Sequence, residues 1–310
     1  MRGSGVVLVL GGTGFIGSHV VDRLARDAMV RVFSSRPSRW TPPVFGVEYR
    51  EGNFVTGDGL REALVGVETV VHCISTTFAK TSNARMAWDI QTNLLATVQA
   101  LEWCVEASVS RVVYLSSGGT VYGPSASLPL QESSPTEPRT SYGAVKLAIE
   151  KYLAIFHHAH GLNSTVLRGS NAYGPRQNPQ GQQGLINVAL GQIAQGLPVD
   201  IYGDGLTVKD YVYVSDVAEA CAKAVAAAGS GIGVFNIGSG RGVTVNEILA
   251  AVEGVTGRKI ETRWQPSLGG DVGFVLDTSA AAHALNWAPE WSLGDGLRET
   301  WRWTQAYYRQ

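Results

Sequence analysis

The chain reads as an α/β protein, a doubly wound parallel sheet with a smaller C-terminal substrate domain, on three observations. An apolar run, Val6–Leu10, has the length and β-branching of a strand buried on both faces. It leads straight into Gly11, Gly12, Gly14 and Gly17, and then into Ser18–Ala25, which pattern as a helix. Beyond it, strand-like and helix-like stretches alternate with no hairpin signal, as parallel strands joined by crossover helices require.

A strand, a glycine turn and a helix start in that order form a phosphate site. Glycines let the backbone turn tightly and approach a pyrophosphate, while the helix N-terminus offers unpaired N–H groups and positive dipole. The loop reads as G-x-x-G-x-x-G from Gly11 and as G-x-G-x-x-G from Gly12. Glycine makes up 37 of 310 residues, so the pattern alone is weak; its place after the first strand makes it a Rossmann-like dinucleotide site. Gly11, Gly14, Phe15, Ile16 and Gly17 are the expected cofactor contacts.

The second strand, Val30–Phe33, ends in Ser34, Ser35 and Arg36. Dinucleotide folds commonly place an acid here for the adenosine ribose hydroxyls, whereas an arginine suits a 2′-phosphate. The acid is absent, and Arg39 lies in the same polar turn. NAD and NADP both fit, and Ser35 with Arg36 leans toward NADP. Val47–Phe54 is a short strand whose end, Asn53–Phe54, could flank an adenine. Leu60–Leu64 starts a short helix, and Thr69–Ile74 is a buried strand with a polar exit, Ser75–Ser82. Met86–Ser108 is one long helix, with Asn93 early in it and Leu94, Val98, Leu101 and Val105 on one face. Arg111–Leu115 is a strand opening into Ser116, Ser117, Gly118, Gly119 and Thr120.

A Pro- and Ser-rich loop, Leu128–Arg139, precedes the helix Ser141–His158. The strand Thr165–Arg168 runs into Asn171, Tyr173, Gly174, Pro175 and Arg176. Gln177–Gly184, rich in Gln, Gly and Pro, reads as a loop over a site. A helix (Leu185–Gln195), a strand (Val199–Tyr202), a Gly203–Gly205 turn and a strand (Asp210–Val214) follow. A helix from Ser215–Asp216, the strand Val234–Ile237, short helices and turns, and the Trp-rich helix Leu297–Tyr308 complete the chain. Residues 1–172 form the expected dinucleotide-binding domain, with a return near 205–238, and 173–310 are mainly substrate-binding.

Apolar residues at 45% and charged residues at 16% are ordinary for a soluble globular enzyme. A net charge of −1 leaves no electrostatic footprint for nucleic acid or an anionic membrane. Cys73, Cys104 and Cys221 sit in apolar contexts as core thiols of a reducing compartment, and the N-terminal apolar run is too short to span a bilayer. A cytoplasmic protein is expected. His157, His158 and His160 end a helix with no carboxylate or cysteine to complete a ligand set, so no metal is expected.

Tyr142 and Lys146 are four apart on a helix and leave it on one face. Aimed at a nicotinamide, such a pair makes an acid/base, because an ammonium and an oxidised pyridinium both favour phenolate. The pair follows the glycine loop by about 130 residues and a Ser/Thr-bearing strand end by about 25, and that ordering is the specific signal.

With these motifs the chain resembles an extended short-chain dehydrogenase/reductase of the NAD-dependent epimerase/dehydratase family, and most of all its UDP-glucose 4-epimerase-like branch. The resemblance rests on GGTGFIG (Gly11–Gly17), SSGGTVYG (Ser116–Gly123), SYGAVK (Ser141–Lys146), LRGSNAYGPR (Leu167–Arg176), KDYVYVSDVA (Lys209–Ala218) and NIGSG (Asn236–Gly240). It implies a nucleotide-sugar 4-epimerase with Tyr142 as acid/base, Lys146 on the nicotinamide ribose, Asn93 supporting the cofactor side and Asn171 touching the sugar-phosphate. It implies reversible hydride transfer from the sugar C4 through a 4-keto intermediate, and a homodimer formed by Met86–Ser108 and Ser141–His158, with Leu94, Leu101, Leu147 and Phe156 as apolar surface.

Three positions depart from the family pattern. Gly118 stands where many relatives carry a catalytic Ser or Thr, although some carry a GG pair, which leaves Ser117, nearer the strand end, or Thr120 to polarise the substrate oxygen. Lys209 and Leu268 occupy the places of diphosphate-gripping arginines, with Arg176 or Arg241 available to compensate. SSGGTVYG lacks the Asp–Glu pair of dehydratases. An NADP-dependent reductase of a 4-keto sugar or other carbonyl is the alternative within the fold. A non-catalytic scaffold is disfavoured because Tyr142 and Lys146 both remain.

Overall fold

The structure, a computed structural model, describes residues 5–124, 127–181, 183–227, 229–266 and 273–309. Its strands follow in chain order as β1 (Val6–Leu10), β2 (Met29–Ser34), β3 (Glu48–Glu51), β4 (Val67–His72), β5 (Arg111–Ser117) and β6 (Asn163–Gly169). β7 (Asn171–Tyr173), β8 (Val199–Tyr202), β9 (Val208–Tyr213), β10 (Ile232–Ile237), β11 (Gly242–Thr244) and β12 (Thr262–Gln265) complete the set. Seven of them make one parallel sheet in the order β10-β6-β5-β4-β1-β2-β3. The chain steps outward from β1 to β3, then crosses back to β4 on the other side of β1. That reversal opens a crevice beyond the carboxyl ends of β1 and β4, at the glycine loop.

Strand alternation sorts the apolar residues into two layers. Val7, Val9, Val30 and Val32 face the helices Phe15–Leu24 and Val214–Ala226. Leu8, Leu10, Phe33 and Val70 face the helices Leu60–Leu64, Ala96–Glu106 and Ser141–His160. Ala218, Ala220 and Ala224 are small enough for their helix to lie close on the sheet, and Glu219 pairs with Arg23 of the opposing helix. β10 and the helix Val214–Ala226 thus belong to the large sheet although they follow the second lobe's first elements in the chain.

The second lobe has its own core, with Tyr173, Leu190, Ile193, Ile201, Tyr211, Val252, Leu297 and Trp301. It is built on a three-stranded sheet, β11-β9-β7, and a two-stranded one, β12-β8. After β6 only Ser170 intervenes before β7, so the chain passes directly from the large sheet into this lobe at the crevice. The antiparallel β9–β11 pair carries no tight-turn signal, since β10 and its helix lie between the two strands. Thr244 and Glu247 form a reciprocal capping box that starts the helix Val245–Thr256, a T-x-x-E signal present in the sequence within the stretch expected to hold only short helices.

The long helix expected over Met86–Ser108 is interrupted. Ile90–Leu95 form a π-helical turn between α-helical Met86–Asp89 and Ala96–Glu106. Such turns insert a residue and recur at functional sites. This one turns Asn93 inward, where it is 7% exposed.

A buried ion pair locks the sheet centre to its flanking helix. Arg168 of β6 meets Glu150 of the helix Ser141–His160 at 2.7 Å, with both side chains about 5–6% exposed. Ser116 of β5 donates to the same carboxylate, and the guanidinium lies over the Tyr122 ring at 4.8 Å. The Tyr122 hydroxyl donates to Asn236 of β10 at 2.6 Å. Removing one half of such a pair strands the other charge, so Arg168→Met is expected to lower the unfolding free energy by about 3–5 kcal/mol. Adding Glu150→Met should recover much of that loss, and urea denaturation of the single and double variants measures both.

Candidate active site

A cavity of about 650 Å³ lies in the crevice between the large sheet and the second lobe. Gly11, Gly14, Phe15, Ile16 and Gly17 line one end of it. Gly11 has φ +79°, and a Cβ on Gly17 would lie 2.2 Å from the Gly11 carbonyl oxygen, so the helix starts against the loop only with glycine there. No side chain caps this first turn, which leaves its N–H groups for an anion. The backbone cradle fits the pyrophosphate of a dinucleotide.

Tyr142 and Lys146 reach the same cavity from the helix Ser141–His160. The start of that helix is held by its own N-cap, Thr140, whose Oγ1 accepts from Gly143 N at 3.1 Å, and by another segment, where Asn83 Oδ1 accepts from Ser141 N at 2.8 Å and Ser82 Oγ from Tyr142 N at 3.1 Å. Gly143 is needed because a Cβ there would meet the Thr120 carbonyl oxygen at 2.4 Å. Lys146 is 6% exposed and donates to the Leu115 carbonyl oxygen at 2.7 Å, with the Tyr114 and Tyr142 rings at 4.8 and 5.5 Å. Burial lowers its ammonium to about 8. Burial, with a smaller contribution from Asp89, pushes the Tyr142 phenol up to about 12. Without the oxidised pyridinium that the acid/base reading also invokes, the ammonium does not bring the phenol toward working pH.

The strand end after β5 leaves little room for a side chain at Gly118. A Cβ on Gly118 would lie 2.6 Å from Leu276 Cδ1 and 3.1 Å from the Arg168 carbonyl oxygen, and one on Gly119 would lie 2.7 Å from the Phe274 ring. Leu276 and Phe274 are buried with Val121, Tyr122 and Leu130, so they cannot easily give way. Their packing takes the space that a side chain at 118 needs. Ser117 and Thr120 both line the cavity. Thr120 Oγ1 is buried with no hydrogen-bond partner among the described residues, a costly state for a hydroxyl. This moves Thr120 ahead of Ser117.

Asn93 acts from behind the cavity wall. Its carboxamide accepts from Thr76 N at 2.9 Å and donates to Thr76 Oγ1 at 2.7 Å and to Asp89 Oδ1 at 2.9 Å. Thr77 also donates to Asp89, at 2.7 Å. The π-helical turn thereby pins the loop after β4, whose Ser75, Thr77 and Phe78 line the cavity. From the second lobe, Asn171 and Lys209 reach the cavity, joined by Tyr173, Gln177 and Gln183. Asn171 also donates to the Asp210 carbonyl oxygen at 3.0 Å.

Several expected contacts lie elsewhere. Arg176 turns away to pair with Asp22 at 2.7 Å, and Arg241 sits on an exposed turn outside the cavity. Neither lines the cavity, and Leu268 lies outside the described residues. Asn53 closes its own turn by accepting from Val55 N at 2.9 Å. Phe54 is buried edge-on to His72 at 5.0 Å, so neither residue lines the cavity. Arg36 lines a separate cavity of about 230 Å³ at the end of β2, while Ser35 is exposed and lines neither. Among the described residues, no three His, Cys, Asp or Glu side chains gather as metal ligands.

Residues 7–238 match the NAD dependent epimerase/dehydratase family. The chain is 33% identical to a UDP-glucose 4-epimerase of Mycolicibacterium smegmatis over 302 residues, spanning 94% of this chain and 96% of that protein. It is similar to the crystal structure of a UDP-glucose 4-epimerase from Thermotoga maritima with UDP-glucose, at a TM-score of 0.92 and 34% identity over 98% of this chain and 99% of that one. It is also similar to a UDP-glucose 4-epimerase of Thermus thermophilus in complex with NAD, at a TM-score of 0.89 and 35% identity over 97% and 99% of the two chains.

Thr120→Val is expected to lose on the order of 10²-fold in kcat, the scale for deleting one donor to a developing oxyanion. Ser117→Ala should lose clearly less. The two variants assayed side by side check the assignment, and the reverse order would transfer the role to Ser117.

Proposed function

The chain belongs to the NAD dependent epimerase/dehydratase family, and on that premise we propose that it is a nucleotide-sugar 4-epimerase acting on a UDP-hexose with a nicotinamide cofactor. One observation carries the reading: the glycine cradle, the Tyr142–Lys146 pair and Asn171 with Lys209 all open onto a single cavity. A bound nicotinamide supplies the hydride acceptor and donor. The Gly11–Gly17 loop would hold its pyrophosphate, and Lys146, seated on the Leu115 carbonyl, would hold its ribose.

Tyr142 takes the proton from the sugar C4 hydroxyl as C4 is oxidised, and Thr120 donates to the same oxygen. Tyr142 is raised by burial above its ordinary value, and an oxidised nicotinamide, when bound, would supply positive charge that lowers it. Lys209 and Asn171 lie on the second-lobe side, where they meet the nucleotide diphosphate end; a lysine does this as a point charge without the bidentate fork of arginine. Residues 173–310 supply most of this substrate lobe. Epimerisation follows when the 4-keto sugar turns over in the cavity, so that the hydride taken from C4 would return to the opposite face of that carbon while Tyr142 gives the proton back to the C4 oxygen.

The same reading includes a homodimer and a cytoplasmic location. Leu101 and Phe156, expected at the dimer surface, are core residues, and Leu94 and Leu147 pack onto core clusters. Met86, Trp88, Ile90 and Leu95 are instead 42–61% exposed on one helical run, with Tyr152 and Ile155 exposed on the other. Among the described residues no helix is long and apolar enough to cross a membrane, and the three cysteines are free thiols. Sedimentation at micromolar concentration is expected to give a dimer, and Leu95→Glu with Ile155→Glu a monomer.

Incubation with UDP-glucose should yield its C4 epimer with no net consumption of NAD. Tyr142→Phe should lose at least about 10²–10⁴-fold in turnover while still binding cofactor. Stoichiometric use of NADPH on a 4-keto sugar, without epimer formation, would favour the reductase alternative.

A further inference from the structure

The cavity of about 230 Å³ lies beside Gly12 and Thr13 at the carboxyl end of β2, and its role rests on the reading that the crevice holds a nicotinamide dinucleotide. Ser34 occupies the place where an acid is common, and its hydroxyl accepts from Thr13 N at 3.3 Å. The parallel register sets Ser34 opposite Glu51 and Val32 opposite Tyr49. Side chains alternate along a strand, and opposed residues of neighbouring parallel strands share a face. Val32, Ser34, Tyr49 and Glu51 accordingly all line this cavity, while Phe33 enters the core on the other face.

Glu51 therefore stands one strand farther out than the usual acid, on the same face and with one more methylene of reach. It is exposed, and its carboxylate has no side-chain hydrogen bond or ion pair among the described residues. The neighbouring carboxylate, Glu48, is occupied by Arg31 at 2.6 Å and by Arg50 at 2.5 Å. Arg36 reaches the cavity from the loop after β2, opposite in charge to Glu51.

We propose that Glu51 accepts the adenosine ribose 2′-hydroxyl in place of the acid missing from β2, and that it makes the site select NAD over NADP. A carboxylate gives the hydroxyl a charge-assisted acceptor and meets a 2′-phosphate with like charge, so one residue both attracts one cofactor and repels the other. Arg36 alone points to NADP; Arg36 beside Glu51 does not.

The test is titration of the full chain, stripped of bound nucleotide, with NAD and with NADP. Wild type is expected to bind NAD more tightly. Glu51→Gln should weaken NAD about tenfold, the scale of one hydrogen bond to a charged group, and should tighten NADP. Arg36→Ala added to Glu51→Gln should remove the gained NADP affinity. Ser34→Asp added to Glu51→Gln should restore the NAD preference, which a merely structural role for Glu51 would not produce. A wild-type preference for NADP, or an unchanged NAD-to-NADP ratio in Glu51→Gln, overturns the assignment. Binding of neither dinucleotide by wild type overturns the dinucleotide reading and this assignment with it.

Discussion

A lysine ammonium in a nearly dry site must be held by oxygen, and Lys146 is held by the carbonyl of Leu115 at 2.7 Å. That hydrogen bond fixes where the helix Ser141–His160 sits along β5. One turn later on the same face, Glu150 takes the Ser116 hydroxyl and the Arg168 guanidinium. Successive turns of the helix thus grip successive residues of the strand. One turn earlier, the same face delivers Tyr142 to the cavity beside the residues that follow the strand, Ser117 to Thr120. The position of Tyr142 is a consequence of two buried charges, each with its own partner.

The same spacing has a chemical cost that the protein alone does not remove. Burial depresses the lysine and raises the phenol, so the cofactor-free pair is an ammonium beside a neutral tyrosine. In the proposed mechanism the pair is completed by charge brought from outside, which would make acid/base strength a property of the complex. Close backbone approach serves the same end. Gly17 lets a helix start on the phosphate loop, Gly143 lets Tyr142's helix touch Thr120, and Gly118 with Gly119 admits Leu276 and Phe274. At that last contact packing fills the space a side chain at 118 would need, and the buried hydroxyl of Thr120 nearby has no hydrogen-bond partner among the described residues.

Features carried by local periodicity were legible in the chain. The strand–glycine–helix start, the alternation of strands and helices, and the common face of Tyr142 and Lys146 all follow from spacings of a few residues. Features set by partners distant in sequence were not. Arg176 could have faced a phosphate, and only the fold shows Asp22 beside it. Leu276 lies over a hundred residues from Gly118, with nothing in the intervening segment to mark their contact. Glu51 beside Ser34 is a matter of cross-strand register, and Asn93 needed a π-helical turn that regular helical periodicity does not describe. Phe54 and Leu101 were misplaced because an apolar residue near a ligand or a partner has the same signature as one in the core.

The central claim is that burial holds Tyr142 protonated until a positively charged ring enters the cavity. The direct measurement is the phenolate absorbance of wild type minus that of Tyr142→Phe, titrated with pH in the absence and presence of NAD. The account predicts no Tyr142 phenolate below about pH 10, the ordinary value for tyrosine, in the cofactor-free protein. With NAD bound, it predicts a Tyr142-dependent transition moved down by about one to three units. A phenolate already present near neutral pH without cofactor, or a transition that NAD leaves unmoved, would contradict it.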